Sequence, residues 1–329
     1  MMTALSAAFL FLSLLNFTSY KSALLLTIFY GAGTCLWPTI SQDLWQHGPG
    51  ILCLSAALFL IFQLQYNESK LIGLLIGTLL ATAVICRLLN VIPAVILSLY
   101  VMKQYRPIMV SLAIPAALLA IWLTYLNIST YGSLTGGYEA IYTSQWHGWR
   151  NLTTTGAYTT PFFYGLASIL LSPSKGILVY SPYLIFGFAA VVIGLTFRIK
   201  QQTLSFALSV WILCLVALLA KNSLWWGGTA FGSRYLSGAL LPLTLLIAIA
   251  WPLLTRTKLL LASFIALGFL SIFIQSIGAH NVATLEEMSE LHLYDFGIFI
   301  ELTPDEEQKA MLENNIQVAL AQQTIELED

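Results

Sequence analysis

Apolar runs of bilayer length, separated by short polar breaks, occupy the first 280 positions of the chain. A helix needs roughly 20 apolar residues to cross a hydrocarbon core. At that scale ten runs predict transmembrane helices, at 2–17, 22–40, 50–65, 71–86, 90–102, 108–127, 176–197, 204–220, 236–254 and 258–277. The run 90–102 is short and contains Pro93, so it reads either as a crossing or as half of a broken pair with the helix before it. Past residue 284 the pattern turns polar. There Thr303, Pro304, Asp305 and Glu306 form a capping box with proline at the first helical position, and Met311, Ile316 and Leu320 recur near helical spacing. A helix near 304–322 follows. The expected architecture is all-α and polytopic: about ten transmembrane helices with extracytoplasmic loops over 1–284, then a small soluble helical tail over 285–329.

Composition sharpens this division. With 329 residues, 58% hydrophobic, 9% charged and a mean hydropathy of +0.81, the chain is no soluble globular protein, in which about a quarter of residues are charged. The net charge of -1 is a cancellation, because twelve of the fifteen acids lie in the last 44 residues. Residues 1–284 hold three acids (Asp43, Glu68, Glu139) against thirteen Lys and Arg, leaving them near +10. The four cysteines sit inside apolar runs as small hydrophobes and outline neither a disulfide framework nor a metal site.

Orientation follows from the basic loops. One set holds Lys21, Lys70, Lys103, Arg106, Arg198, Lys200, Arg256 and Lys258 with Glu68 as its one acid, and the positive-inside rule assigns it to the cytoplasm. The opposite set, comprising 41–49, the turn Arg87–Leu89, 128–175, 221–235 and everything after 278, is then extracytoplasmic. The same count puts Met1 outside, which leads to the expectation that an odd number of helices belongs in front of it, in a separately encoded or lost upstream segment.

Four polar segments rich in Gly, Pro and aromatic residues fall on that outer face: Ser41–Gly50, Tyr142–Asn151, Leu171–Pro182 and Leu224–Leu236. Irregular backbone at membrane depth persists only where protein or a wet cavity satisfies it, so these segments are expected walls of a site. In the last of them Gly227, Gly228 and Gly232 permit unusual dihedrals, Trp225 and Trp226 offer flat faces, and Arg234 brings a permanent cation whose fork suits phosphate oxygens. A sugar on Trp and a phosphate on Arg fit that set; an aromatic belt with a basic anchor is the structural alternative. Lys175, Arg150 and Arg87 are further phosphate candidates, each with snorkelling or surface anchoring as its alternative. Asp43 and His47 stand four apart beside Trp45 and could pair as a base and its orienting group, or belong to a hydrated loop. The catalytic residue itself is unassigned. The His and acid spacings indicate no metal site, Gly227–Arg234 matches neither a P-loop nor a dinucleotide fingerprint, and neither a cofactor nor nucleic acid is expected.

The succession YGAGTCLWPTISQDLWQHGP, a helix ending in Arg87, LSPSKGILVYSP, and WWGGTAFGSRYL before a helix containing Pro242 resembles the bacterial membrane glycosyltransferases of the C-type superfamily. These are relatives of the dolichyl-phosphate-mannose protein mannosyltransferases and the lipid-A aminoarabinose transferases. The resemblance covers roughly residues 20–280. It implies sugar transfer from a polyprenyl-phosphate carrier to an acceptor outside a bacterial inner membrane, by inverting displacement, with Arg234 first and Lys175 second at the carrier phosphate. In that superfamily the catalytic acid lies in a large outer loop after the first helix, and this chain has no such loop, so Asp43 is not promoted into its place. The chain is then expected to be inactive alone. Two other classes stand beside this reading: a transporter or flippase of lipid-linked substrate, which would carry midplane polar groups and an internal repeat, and a non-catalytic remnant.

Overall fold

A computed structural model describes residues 1–42, 45–132, 134, 158, 160–196, 201–222, 225–227 and 230–280. These form helices, with no strand among the described residues. In chain order they are α1 (Met2–Leu14), α2 (Tyr20–Ala32), α3 (His47–Gln63), α4 (Lys70–Cys86), α5 (Val91–Gln104), α6 (Met109–Tyr131), α7 (Phe162–Leu171), α8 (Ile185–Thr196), α9 (Gln202–Lys221), α10 (Ser237–Ile249) and α11 (Lys258–His280). The tail 285–329, its expected helix 304–322, and the segment 142–151 with Arg150 lie outside the described residues, as does Asp43.

Among the described residues three helices are long and apolar enough to cross a membrane: Arg106–Tyr131, which is α6 with its leading 3₁₀ turn, together with α9 and α11, at 26, 20 and 23 residues. By length and composition this is an α-helical membrane protein. The expectation of about ten such helices is corrected, because the other apolar helices of the described residues stop at 10–17 residues. The reason is local. The run 22–40 leaves the α conformation at Gly33 and continues as a π-helical turn, Leu36–Ile40, around Pro38. The run 176–197 begins as a single turn, Ile177–Tyr180, and reaches α8 only after a 3₁₀ turn at Pro182. Likewise 236–254 divides at Ala250 before Pro252. Proline cannot donate to the helical ladder and its ring crowds the preceding turn.

Two of the helix starts carry a serine cap. Ser19 accepts from the backbone N–H of Ser22 at the head of α2, and Ser69 accepts from that of Leu71 at the head of α4. The alternatives at 90–102 resolve as a hairpin. Arg87 is extended, a 3₁₀ turn Leu88–Asn90 follows, and α5 starts with Pro93 in its first turn, where the missing N–H costs nothing.

The helix α10 is central: every residue from Ser237 to Ala248 is buried, and it packs on α2, α3, α8 and α9. Lipid drives no helix association, so close backbone approach carries much of the packing. A Cβ on Gly77 would stand 2.3 Å from the Leu112 carbonyl oxygen of α6, and one on Gly268 2.0 Å from the Phe29 ring of α2. These glycines are there because nothing larger fits. The bundle has two ends. The starts of α3, α5 and α10 share one with the C-termini of α9 and α11. The C-termini of α1, α3 and α5 and the start of α9 share the other.

Candidate functional site

Residues 230–236, entering α10, are gripped from two sides. From the π-helical turn Thr39 donates to the Phe231 carbonyl at 2.9 Å, and the Cys35 thiol lies 3.7 Å from that of Ser233. From the other side Tyr180 meets Phe231 edge-on at 5.0 Å, while Gln275 of α11 donates to the Tyr180 carbonyl at 2.8 Å. Gly227 and Gly232 take φ of +73° and +68°, a left-handed conformation open to glycine at little cost. Both also lie flat against a ring, Gly227 against Tyr235 and Gly232 against Tyr180.

That fold aims Arg234 across the segment. Its Nη2 donates to the Gly227 carbonyl, and its guanidinium sits 4.3 Å from the centre of the Trp45 ring and 5.5 Å from that of Tyr235. Stacking over an indole face orients a cation without neutralising it. The Nε of Arg234 is buried and makes no hydrogen bond. Arg87 approaches Tyr235 from the end of α4, 5.9 Å from its ring centre, and donates to its carbonyl at 3.2 Å. One tyrosine therefore lies between two guanidinium groups. Just beyond it, His47 at the head of α3 places Nδ1 2.9 Å from the Ser237 hydroxyl, both side chains being buried.

Lys175 comes from the Ser-Pro-Ser-Lys turn, in which the Ser172 hydroxyl accepts from the backbone N–H of Ser174 and of Lys175. Its ammonium donates to the Ala230 carbonyl, and its side chain is 2% exposed. Snorkelling does not describe a lysine so enclosed. Arg87, at 7% exposed, is enclosed too. Burying an ion costs several kcal/mol unless partners compensate, and the carbonyls of Ala230 and Tyr235 are among those partners here.

Of the sequence candidates, the structure brings Arg234, Arg87, Lys175, Trp45 and His47 to one end of the bundle. Trp225 is there as packing, buried edge-on against Tyr164 and Trp226, with Trp226 half-buried beside it. Asp43 and Arg150 fall outside the described residues. Sequence reasoning passed over Tyr235 and Ser237. Their signal was position alone: Tyr235 follows Arg234 directly, and Ser237 opens the central helix.

Among the described residues the electrostatic balance of this end is positive. Arg87, Lys175, Lys221 and Arg234 are here, while the described residues include one acid, Glu68, in the turn between α3 and α4 at the opposite end. Among the described residues no three of His, Cys, Asp and Glu come together as metal ligands. Such an arrangement can hold an anion and stabilise charge developing on it. No family model, curated protein or solved structure matches the chain.

Proposed function

We propose that this end of the bundle binds the phosphate of a lipid-linked sugar, and that the protein belongs to the machinery transferring that sugar from a polyprenyl-phosphate carrier to an acceptor on the extracytoplasmic face of a bacterial inner membrane. The observation that carries the reading is Arg234, held flat on Trp45 with a buried Nε that no protein atom satisfies, and without an acidic partner among the described residues. A guanidinium keeps its charge at any physiological pH and takes two phosphate oxygens at once. Arg87 and Lys175 add positive potential from two other elements, so the carrier phosphate departs as an anion into a field already present.

Inverting displacement also needs a group to deprotonate the acceptor hydroxyl. His47 is committed to Ser237, and the described residues supply no carboxylate at this end. The resemblance to the C-type superfamily points to a carboxylate on an outer loop, and this reading requires one from outside the described residues. Arg234, Arg87, Lys175 and His47 gather at one end of the bundle rather than near its middle, which favours interfacial chemistry over transport.

Binding and transfer separate the two halves of the proposal. In detergent the chain is expected to bind a polyprenyl-phosphate analogue, and Arg234→Ala to weaken that binding at least tenfold, the loss of about one charge-assisted contact pair. Unchanged binding sinks the assignment of Arg234. Sugar transfer from a panel of polyprenyl-phosphate donors, assayed in membranes of the source cells, is expected to fall with Arg234→Ala, and unchanged transfer sinks the transferase reading.

A further inference from the structure

The opposite end of the bundle holds a second cavity with different chemistry. It opens where the C-termini of α1, α3 and α5 meet the start of α9, and encloses about 340 Å³, near the lower bound of small-molecule sites, roughly 300–1,000 Å³. Carboxamides dominate its wall, from Asn16, Gln65, Gln104 and Gln202, joined by the phenols of Tyr100 and Tyr105. Among the described residues no Lys, Arg, Asp or Glu lines it, although Lys103 and Arg106 flank Gln104 and Tyr105 in the chain. Two of the amides are held in place: Gln65 Nε2 donates to Asn16 Oδ1 at 2.8 Å, and Asn16 Nδ2 donates to the Ser13 carbonyl at 2.9 Å.

That inventory selects a class of ligand. Among the described residues a phosphate or carboxylate finds no charged counterpart on the wall, and anions are held by Arg, Lys or converging N–H groups. An apolar group would desolvate the amides without repaying their hydrogen bonds. Carboxamides and phenols each donate and accept, and so does a hydroxyl, while the Phe17 and Phe62 rings of the same wall offer apolar surface. We propose that this cavity binds a neutral glycosyl group, an uncharged polyhydroxylated ring, at the end of the bundle remote from Arg234. The 17 residues of α3 separate the two sites by about 25 Å, so this site stands independently of the proposed phosphate site.

The experiment uses the full chain in lipid nanodiscs and ligand-observed saturation-transfer NMR. The soluble probes are methyl α-glucopyranoside, methyl α-mannopyranoside and N-acetylglucosamine. A monoglucosyl diacylglycerol doped into the disc presents the same chemistry as a lipid headgroup. Saturable binding of one of these is expected, with none for methyl phosphate, and the probe that binds tells a free sugar from a glycolipid. Gln104→Leu and Gln65→Leu change exposed side chains, so melting temperature is expected to hold while affinity falls roughly tenfold. The proposal is overturned if no neutral probe saturates, if methyl phosphate binds in preference, or if both variants bind normally while Arg234→Ala does not.

Discussion

Lys175 tests whether a buried charge is a strut or a site. Lys175→Met keeps the aliphatic stem and removes the ammonium, so it removes both the bond to Ala230 and the cost of burying the ion. If the lysine serves an anion, polyprenyl-phosphate binding falls while the melting temperature stays within a few degrees. A loss of more than about 3 kcal/mol in stability would instead mark the ammonium as structural. Gly232 is a sharper structural probe. Gly232→Ala imposes a side chain on φ +68° and sets Cβ 3.2 Å from the Tyr180 ring. Left-handed strain of about 1–2 kcal/mol adds to the crowding, so thermal unfolding is expected to shift down, with phosphate binding reduced as Arg234 loses its placement.

The elements reveal what the residue pattern encodes and what it hides. The runs 71–86, 204–220 and 258–277 became α4, α9 and α11 nearly end for end, because each is an uninterrupted apolar stretch bounded by Lys or by polar residues. The runs 22–40, 176–197 and 236–254 met the same hydropathy criterion yet divided, at Gly33, at Pro182 and before Pro252. A window average registers none of these, while Pro115 in α6 and Pro242 in α10 stay within continuous helix. At ten residues α7 was too short for a bilayer scan, and it fell inside a stretch read as loop. Of the four segments expected as walls, the described parts of 41–50, 171–182 and 224–236 meet at one end of the bundle, and Tyr142–Asn151 lies outside the described residues. Which residue would face which was not legible: Arg234 on Trp45 is a contact across 189 positions, and sequence spacing carries nothing of it. At this scale α6 offers a test. It leans on α4 through Gly77, and Gly77→Ala sets a methyl against the Leu112 backbone. A loss of about 1–3 kcal/mol from overpacking is expected, read as faster amide exchange confined to residues 109–131.

At the scale of the whole molecule the distribution of charge becomes a statement about sidedness. Lys21, Lys70, Lys103, Arg106, Arg256 and Lys258 cap the end that bears the carboxamide cavity, and the guanidinium pair stands at the other. If the positive-inside rule governs insertion, an impermeant maleimide applied to intact spheroplasts labels Gln42→Cys, exposed near Arg234, and leaves Gln104→Cys unlabelled until the membrane is opened. The reverse pattern would turn the molecule over and take an extracytoplasmic reaction with it.

The unequal helices also have a bearing on the bilayer itself. On one flank α1 and α3 have 13 and 17 residues, about 20 and 25 Å of helix, while Arg106–Tyr131 on another runs to about 39 Å. A hydrocarbon layer about 30 Å thick cannot match both. In a bilayer, thinner lipid beside the short pair and a tilt of the long helix are the expected accommodations, at a cost of fractions of a kcal/mol per Å of mismatch. Membrane thickness is then expected to act on the protein as an uneven load, read as a melting temperature that changes with the acyl-chain length of the host lipid.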